Sequence, residues 1–71
     1  MCLAIPGKIL EIDNDAIATI DFDGIVRSAS MDMLPNAQVG NYVLVHAGFA
    51  IKIVDEAEAK KTLDLYKELN G

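Results

Sequence analysis

The stretch Ala16-Ile17-Ala18-Thr19-Ile20-Asp21-Phe22-Asp23-Gly24-Ile25-Val26-Arg27-Ser28-Ala29-Ser30-Met31 decides the fold. Ala16, Ala18, Ile20 and Phe22 share one face, with Ile17, Thr19 and Asp21 on the other, which is the two-residue period of a strand. Asp23-Gly24 is the dipeptide of a type I′ hairpin turn, where both central residues need positive φ. Residues 25–31 then return as a second strand, with Val26, Ser28 and Ser30 opposing Arg27, Ala29 and Met31. The centre of the chain is therefore a β-meander.

Working outward, residues 8–12 read as another half-buried strand with Leu10 and Ile12 inward, and Asn14-Asp15 as the tight turn that follows it. On the other side Pro35 breaks the strand pattern, and Val39-Gly40-Asn41 reads as a turn. Residues 42–46 are the most strand-like in the chain. Ala47-Gly48-Phe49-Ala50 interrupts them with a glycine that suggests a bulge or sharp bend before residues 51–53 resume. Five short strands with glycine corners predict a mainly β fold, a small OB-like five-stranded β-barrel over about residues 1–54.

The period then changes. Asp55 followed by Glu58 is a capping-box variant, and Ala59, Leu63, Leu65, Tyr66 and Leu69 gather on one side of a helical wheel opposite Lys60, Lys61, Asp64, Lys67 and Glu68. A C-terminal α-helix over about residues 55–69 is expected. A helix of that length is marginal alone and must pack on something. Nothing divides the 71 residues, so one domain is predicted. Met31 and Met33 read as core filling, with an adaptable contact surface as the alternative.

Composition narrows the function. Eleven acids against six bases give a net charge of −5, and Lys8, Arg27 and Lys52 are too scattered to track a phosphate backbone. A single cysteine rules out a disulfide within one chain and suits a reducing compartment. No apolar run approaches the length of a membrane helix, and no signal-peptide pattern is present, so a cytoplasmic protein is expected.

Two residues carry chemistry. Cys2 follows Met1 directly, and removal of Met1 would leave its thiol and the α-amine as a five-membered chelate for a soft or borderline metal. The bland alternative is a small apolar residue tucked against the barrel. His46, the only histidine, ends a strand beside Ala47-Gly48 and is either a ligand or proton carrier, or exposed and idle. One Cys and one His fall short of a closed four-ligand zinc site, so any metal would be completed by a partner, a small molecule or water.

Together these segments resemble a known family. Met1-Cys2-Leu3-Ala4-Ile5-Pro6-Gly7 resembles the N-terminal signature of the HypC/HupF-type hydrogenase maturation chaperones, and Gly40-Asn41-Tyr42-Val43-Leu44-Val45-His46-Ala47-Gly48-Phe49-Ala50 resembles their second block. The similarity extends through Asp23-Gly24, Leu34-Pro35 and the C-terminal helix. One departure is Asn41, where the family usually has Asp, in a turn where either serves.

The resemblance implies a chaperone without turnover of its own. With the iron–sulfur protein HypD it would scaffold assembly of the Fe(CN)2CO group of nickel–iron hydrogenases and deliver it to the large-subunit precursor. HypE would be reached through HypD, and iron would be held only as this transient group. By the same resemblance Cys2 would bind iron jointly with a HypD cysteine, and His46 would be a second metal-site or partner-contact residue. An apolar rim of Leu3, Ile5, Pro6 and Phe49 would dock the partner. Competing readings are an OB-like module for single-stranded nucleic acid, which four aromatics and a net −5 disfavour, and a small enzyme with Cys2 as nucleophile.

Overall fold

The computed structural model describes residues 5–61 and residue 65. Its five strands are β1 (Gly7–Ile12), β2 (Ile17–Phe22), β3 (Ile25–Ser30), β4 (Tyr42–His46) and β5 (Phe49–Val54). They close into a barrel in the order β1-β2-β3-β5-β4, with β4 returning to β1. The fold is thus the expected mainly β, OB-like five-stranded barrel. Residues 56–61 and 65 are helical, and the helix starts with Ala59 N–H donating to the Asp55 carbonyl at 2.8 Å. The apolar positions Leu63, Tyr66 and Leu69 lie outside the described residues. Of the rest of that face, Ala59 is buried and Leu65 is exposed.

The central hairpin forms as its pattern dictates. Asp23 (φ 53°) and Gly24 (φ 97°) make the two-residue turn, and Asp21 Oδ1 accepts from Gly24 N–H at 2.8 Å. Six residue pairs follow in unbroken register from Phe22↔Ile25 to Ile17↔Ser30. Ala18 and Ile20 are fully buried, while Ala16 and Phe22 are half-buried.

One local expectation is corrected and two are refined. In β1 it is Ile9, not Leu10, that fills the core. Register passes from Ile9↔Ile20 to Glu11↔Thr19, so Leu10 is an extra residue, a β-bulge, and it stands out in solvent. The turn after β1 falls at Asn14-Asp15 as expected, with the positive φ on the next residue, Ala16 (61°). The loop is held by Asp13, whose Oδ1 accepts from Asp15 N–H at 2.8 Å and Ile17 N–H at 3.0 Å. The sharp bend expected at Ala47-Gly48 is a two-residue turn between β4 and β5, with φ 53° and 85°, and β5 begins earlier than expected, at Phe49. The bulge lies further on, at Ile51, where register jumps from Val45↔Ala50 to Leu44↔Lys52.

The core is narrow. Ile9, Ile20 and Val43 are its largest fully buried side chains, and Ala18, Ala29, Ala50 and Met31 complete it. Met31 therefore fills core as expected, whereas Met33 is exposed. The predicted turn before β4 forms around Gly40 (φ 95°), and Asn41 Oδ1 accepts from Gln38 N–H at 2.8 Å, an acceptor role an Asp would also play. Barrel closure is lopsided. β2 and β3 pair along their whole length, but β3 meets β5 in a single parallel pair, Ser30↔Phe49.

Candidate functional site

Because β3 and β5 touch only at Ser30↔Phe49, the C-terminal end of β3, the barrel wall gapes along the rest of β3 toward the hairpin turn. A cleft of about 490 Å³ opens there, lined by Ile5, Phe22, Asp23, Ile25, Arg27, Ser28, Val45 and Gly48. Its floor comes from the inward column of the β2–β3 hairpin, where Ile20↔Arg27 and Phe22↔Ile25 continue the buried pair Ala18↔Ala29 toward the turn. Its opposite wall is the end of β4 and the β4–β5 turn. That turn is tied to β3 by Ser30 N–H donating to the Gly48 carbonyl at 2.8 Å.

Of the residues the sequence singles out, four are described. Ile5 is half-buried and lines the cleft, Pro6 next to it is buried, and Gly7 begins β1. Gly7 leaves no room for a side chain: a Cβ there would meet Ile20 Cγ2 and lie 2.6 Å from Phe22 Cε1. Backbone pressed against core in this way fixes where the chain leaves the barrel. His46 and Phe49 face each other across the Ala47-Gly48 turn as a register pair, both exposed. Their neighbours Val45 and Gly48 line the cleft, so Ile5 and the His46–Phe49 turn belong to one end of the barrel. Cys2 and Leu3 lie outside the described residues.

The cleft itself was missed in the sequence. Phe22, Ile25, Arg27 and Val45 carry it, with Asp23 at its edge, and one signal was available. Arg27 stands in phase with buried Ala29 and Met31, a charge in an otherwise inward-facing column. The lining is mostly apolar, with Arg27 and Asp23 of opposite sign, and makes no basic track for phosphates. Among the described residues no group of three or more His, Cys, Asp or Glu could hold a metal ion. No helix of the described residues is long and apolar enough to cross a membrane. The described part of the site can therefore offer an imidazole, an apolar cleft and a guanidinium, but no closed metal cage.

Comparison with known proteins is consistent across the chain. Residues 1–66 match the family model described as the HupF/HypC family. The chain is 42% identical over 69 residues to the hydrogenase maturation factor HypC of Cupriavidus necator, covering 97% of this chain and 77% of that protein. It is 43% identical over 68 residues to HypC of Synechocystis, covering 89% and 90%. To the hydrogenase maturation factor HybG of Escherichia coli it is 37% identical over 76 residues, covering 99% and 93%.

Proposed function

The chain belongs to the HupF/HypC family, and on that premise we propose that it is a hydrogenase maturation chaperone that works in the cytoplasm with HypD. In this reading the pair holds the Fe(CN)2CO group while it is assembled, with HypE reached through HypD. The chaperone then carries the group to the precursor of the hydrogenase large subunit. Iron is cargo here, not a resident cofactor. Cys2 supplies a thiolate, a soft ligand suited to low-spin iron, and the partner supplies the rest of the site. The chaperone turns nothing over; it binds, presents and releases.

The observation that carries this reading is the match to maturation factors over nearly the whole chain, from the N-terminal signature through the His46 block. The barrel adds physical support. Ile5 enters the cleft three residues after Cys2, and three residues of extended chain span at most about 11 Å. That reach would let a thiolate at position 2 meet the end of the barrel that carries His46 and Phe49, beside an apolar docking surface. A site with one or two ligands from the chaperone is incomplete by construction, which is what a carrier that must release its load requires.

The test is anaerobic co-purification with HypD, followed by infrared spectroscopy for bound cyanide and carbon monoxide. Wild type should show both sets of bands and Cys2→Ala neither, with the barrel's circular dichroism unchanged. Normal hydrogenase maturation by Cys2→Ala would sink the proposal. His46→Ala should keep the fold and reduce delivery to the precursor more than binding of HypD.

A further inference from the structure

The gap in the barrel wall also leaves one edge of β3 without a partner strand among the described residues. Which backbone groups face that edge follows from two hydrogen bonds. Ser30 N–H points to β5, since it donates to the Gly48 carbonyl, and Met31 N–H points to the β2 side, since it donates to the Ala16 carbonyl at 2.8 Å. Alternate residues of a strand direct their N–H and C=O to the same side. Val26 and Ser28 therefore aim both groups at the open edge, while Ile25, Arg27 and Ala29 spend theirs on β2. Ile25, Arg27 and Ser28 line the cleft beside that edge, with Ile25 and Arg27 in the inward column of the hairpin.

We propose that this edge is a docking site for an extended segment of the partner protein, which adds as a strand beside Val26 and Ser28. Every second side chain of an added strand points into the cleft. One would lie against Phe22, Ile25 and Val45, and the one two positions away would meet Arg27. The occupant is thus a segment with an apolar residue and an Asp or Glu two positions apart. Main-chain pairing supplies affinity in this mode, and the alternate side chains supply selection. Arg27 does the selecting. An inward-pointing charge on an edge strand opposes apolar strands, and a second copy of β3 would bring its own Arg27 into a cleft that already holds one. The inference rests on the functional reading only for the partner's identity, HypD.

Amide hydrogen exchange on the free chain and on its HypD complex tests it. In the free chain Val26 and Ser28 exchange fast, while Arg27 and Ala29, bonded to β2, exchange slowly. In the complex Val26 and Ser28 slow at least tenfold. Arg27→Glu weakens HypD binding at least tenfold and Arg27→Lys keeps most of it. Ser28→Pro, which removes an edge donor but no bond to β2, weakens binding to a similar degree. A complex in which Val26 and Ser28 exchange as in the free chain overturns the proposal, as does unchanged binding by Arg27→Glu. A dimer of the free chain that protects the same amides overturns it in favour of self-association. Failure of the wild-type chain to bind HypD at all is a different result, and it refutes the functional reading together with the partner named here.

Discussion

Gly7→Ala sets two physical effects of opposite sign against each other. Gly7 is not among the glycines with positive φ, so its backbone accepts an L residue. Restricting the unfolded chain should then stabilise the protein by about 0.4–1 kcal/mol. The folded barrel disagrees. The new Cβ would overlap Ile20 Cγ2 and sit 2.6 and 2.7 Å from two atoms of the Phe22 ring. Ile20 is fully buried and has nowhere to move, and Phe22 is half-buried between core and cleft. Overpacking costs about 1–3 kcal/mol, and a clash this close against a fully buried side chain belongs in the upper part of that range, about 2–3 kcal/mol. The steric term then wins, leaving a net loss of about 1–2.6 kcal/mol. For a domain of this size each kcal/mol shifts Tm by roughly 4–8 °C, so thermal unfolding followed by circular dichroism should show a drop of roughly 4–21 °C. Phe22→Leu in the same chain should recover part of it, giving a non-additive cycle. A Tm equal to or above wild type would refute the reasoning, because it would mean the entropic term is the only one acting.

Two further outcomes follow from the loops. Ala47→Asn should raise stability by roughly 0.5–1 kcal/mol, because the first position of the β4–β5 turn holds φ 53° and Asn tolerates that region far better than Ala; the denaturant midpoint checks it, and a lower midpoint would contradict it. Asp13→Ala should cost about 0.5–2 kcal/mol through loss of the acceptor for Asp15 and Ile17 N–H, with Asp13→Asn recovering most of that, both read from chemical denaturation.

The parts of the fold legible in the sequence are those governed by local chemistry. The Asp23-Gly24 hairpin could be placed to the residue, because its turn dipeptide and the alternation on either side agree. The strand of β1 could be found but not its faces, since the bulge at Leu10 shifts the alternation and nothing in Leu10 announces it. Ala16 and Ala47 take left-handed backbone without belonging to the residue types that favour it, so both turns read ambiguously. The cleft is illegible for a different reason. It arises where Ser30 meets Phe49, a pairing between distant parts of the chain whose extent no local pattern encodes. What local pattern did show was Arg27 out of keeping with its column. The pairing of Ile5 with the His46 end of the barrel is likewise a product of closure, and it gives the two quoted blocks of sequence a common neighbourhood.

The bulges at Leu10 and Ile51 bear on how the chain length itself can vary. If Leu10 is struck out, Ile9↔Ile20, Glu11↔Thr19 and Ile12↔Ala18 form a ladder with no gap. If Ile51 is struck out, Leu44↔Lys52 and Val45↔Ala50 do the same. Removing any single residue from the unbroken β2–β3 ladder would instead turn every later side chain to the wrong face. Each bulge is thus a surplus residue in a frame that otherwise counts by twos. Shortening at these two points should therefore leave the core facing inward, with loss of the extra twist that a bulge gives to a strand.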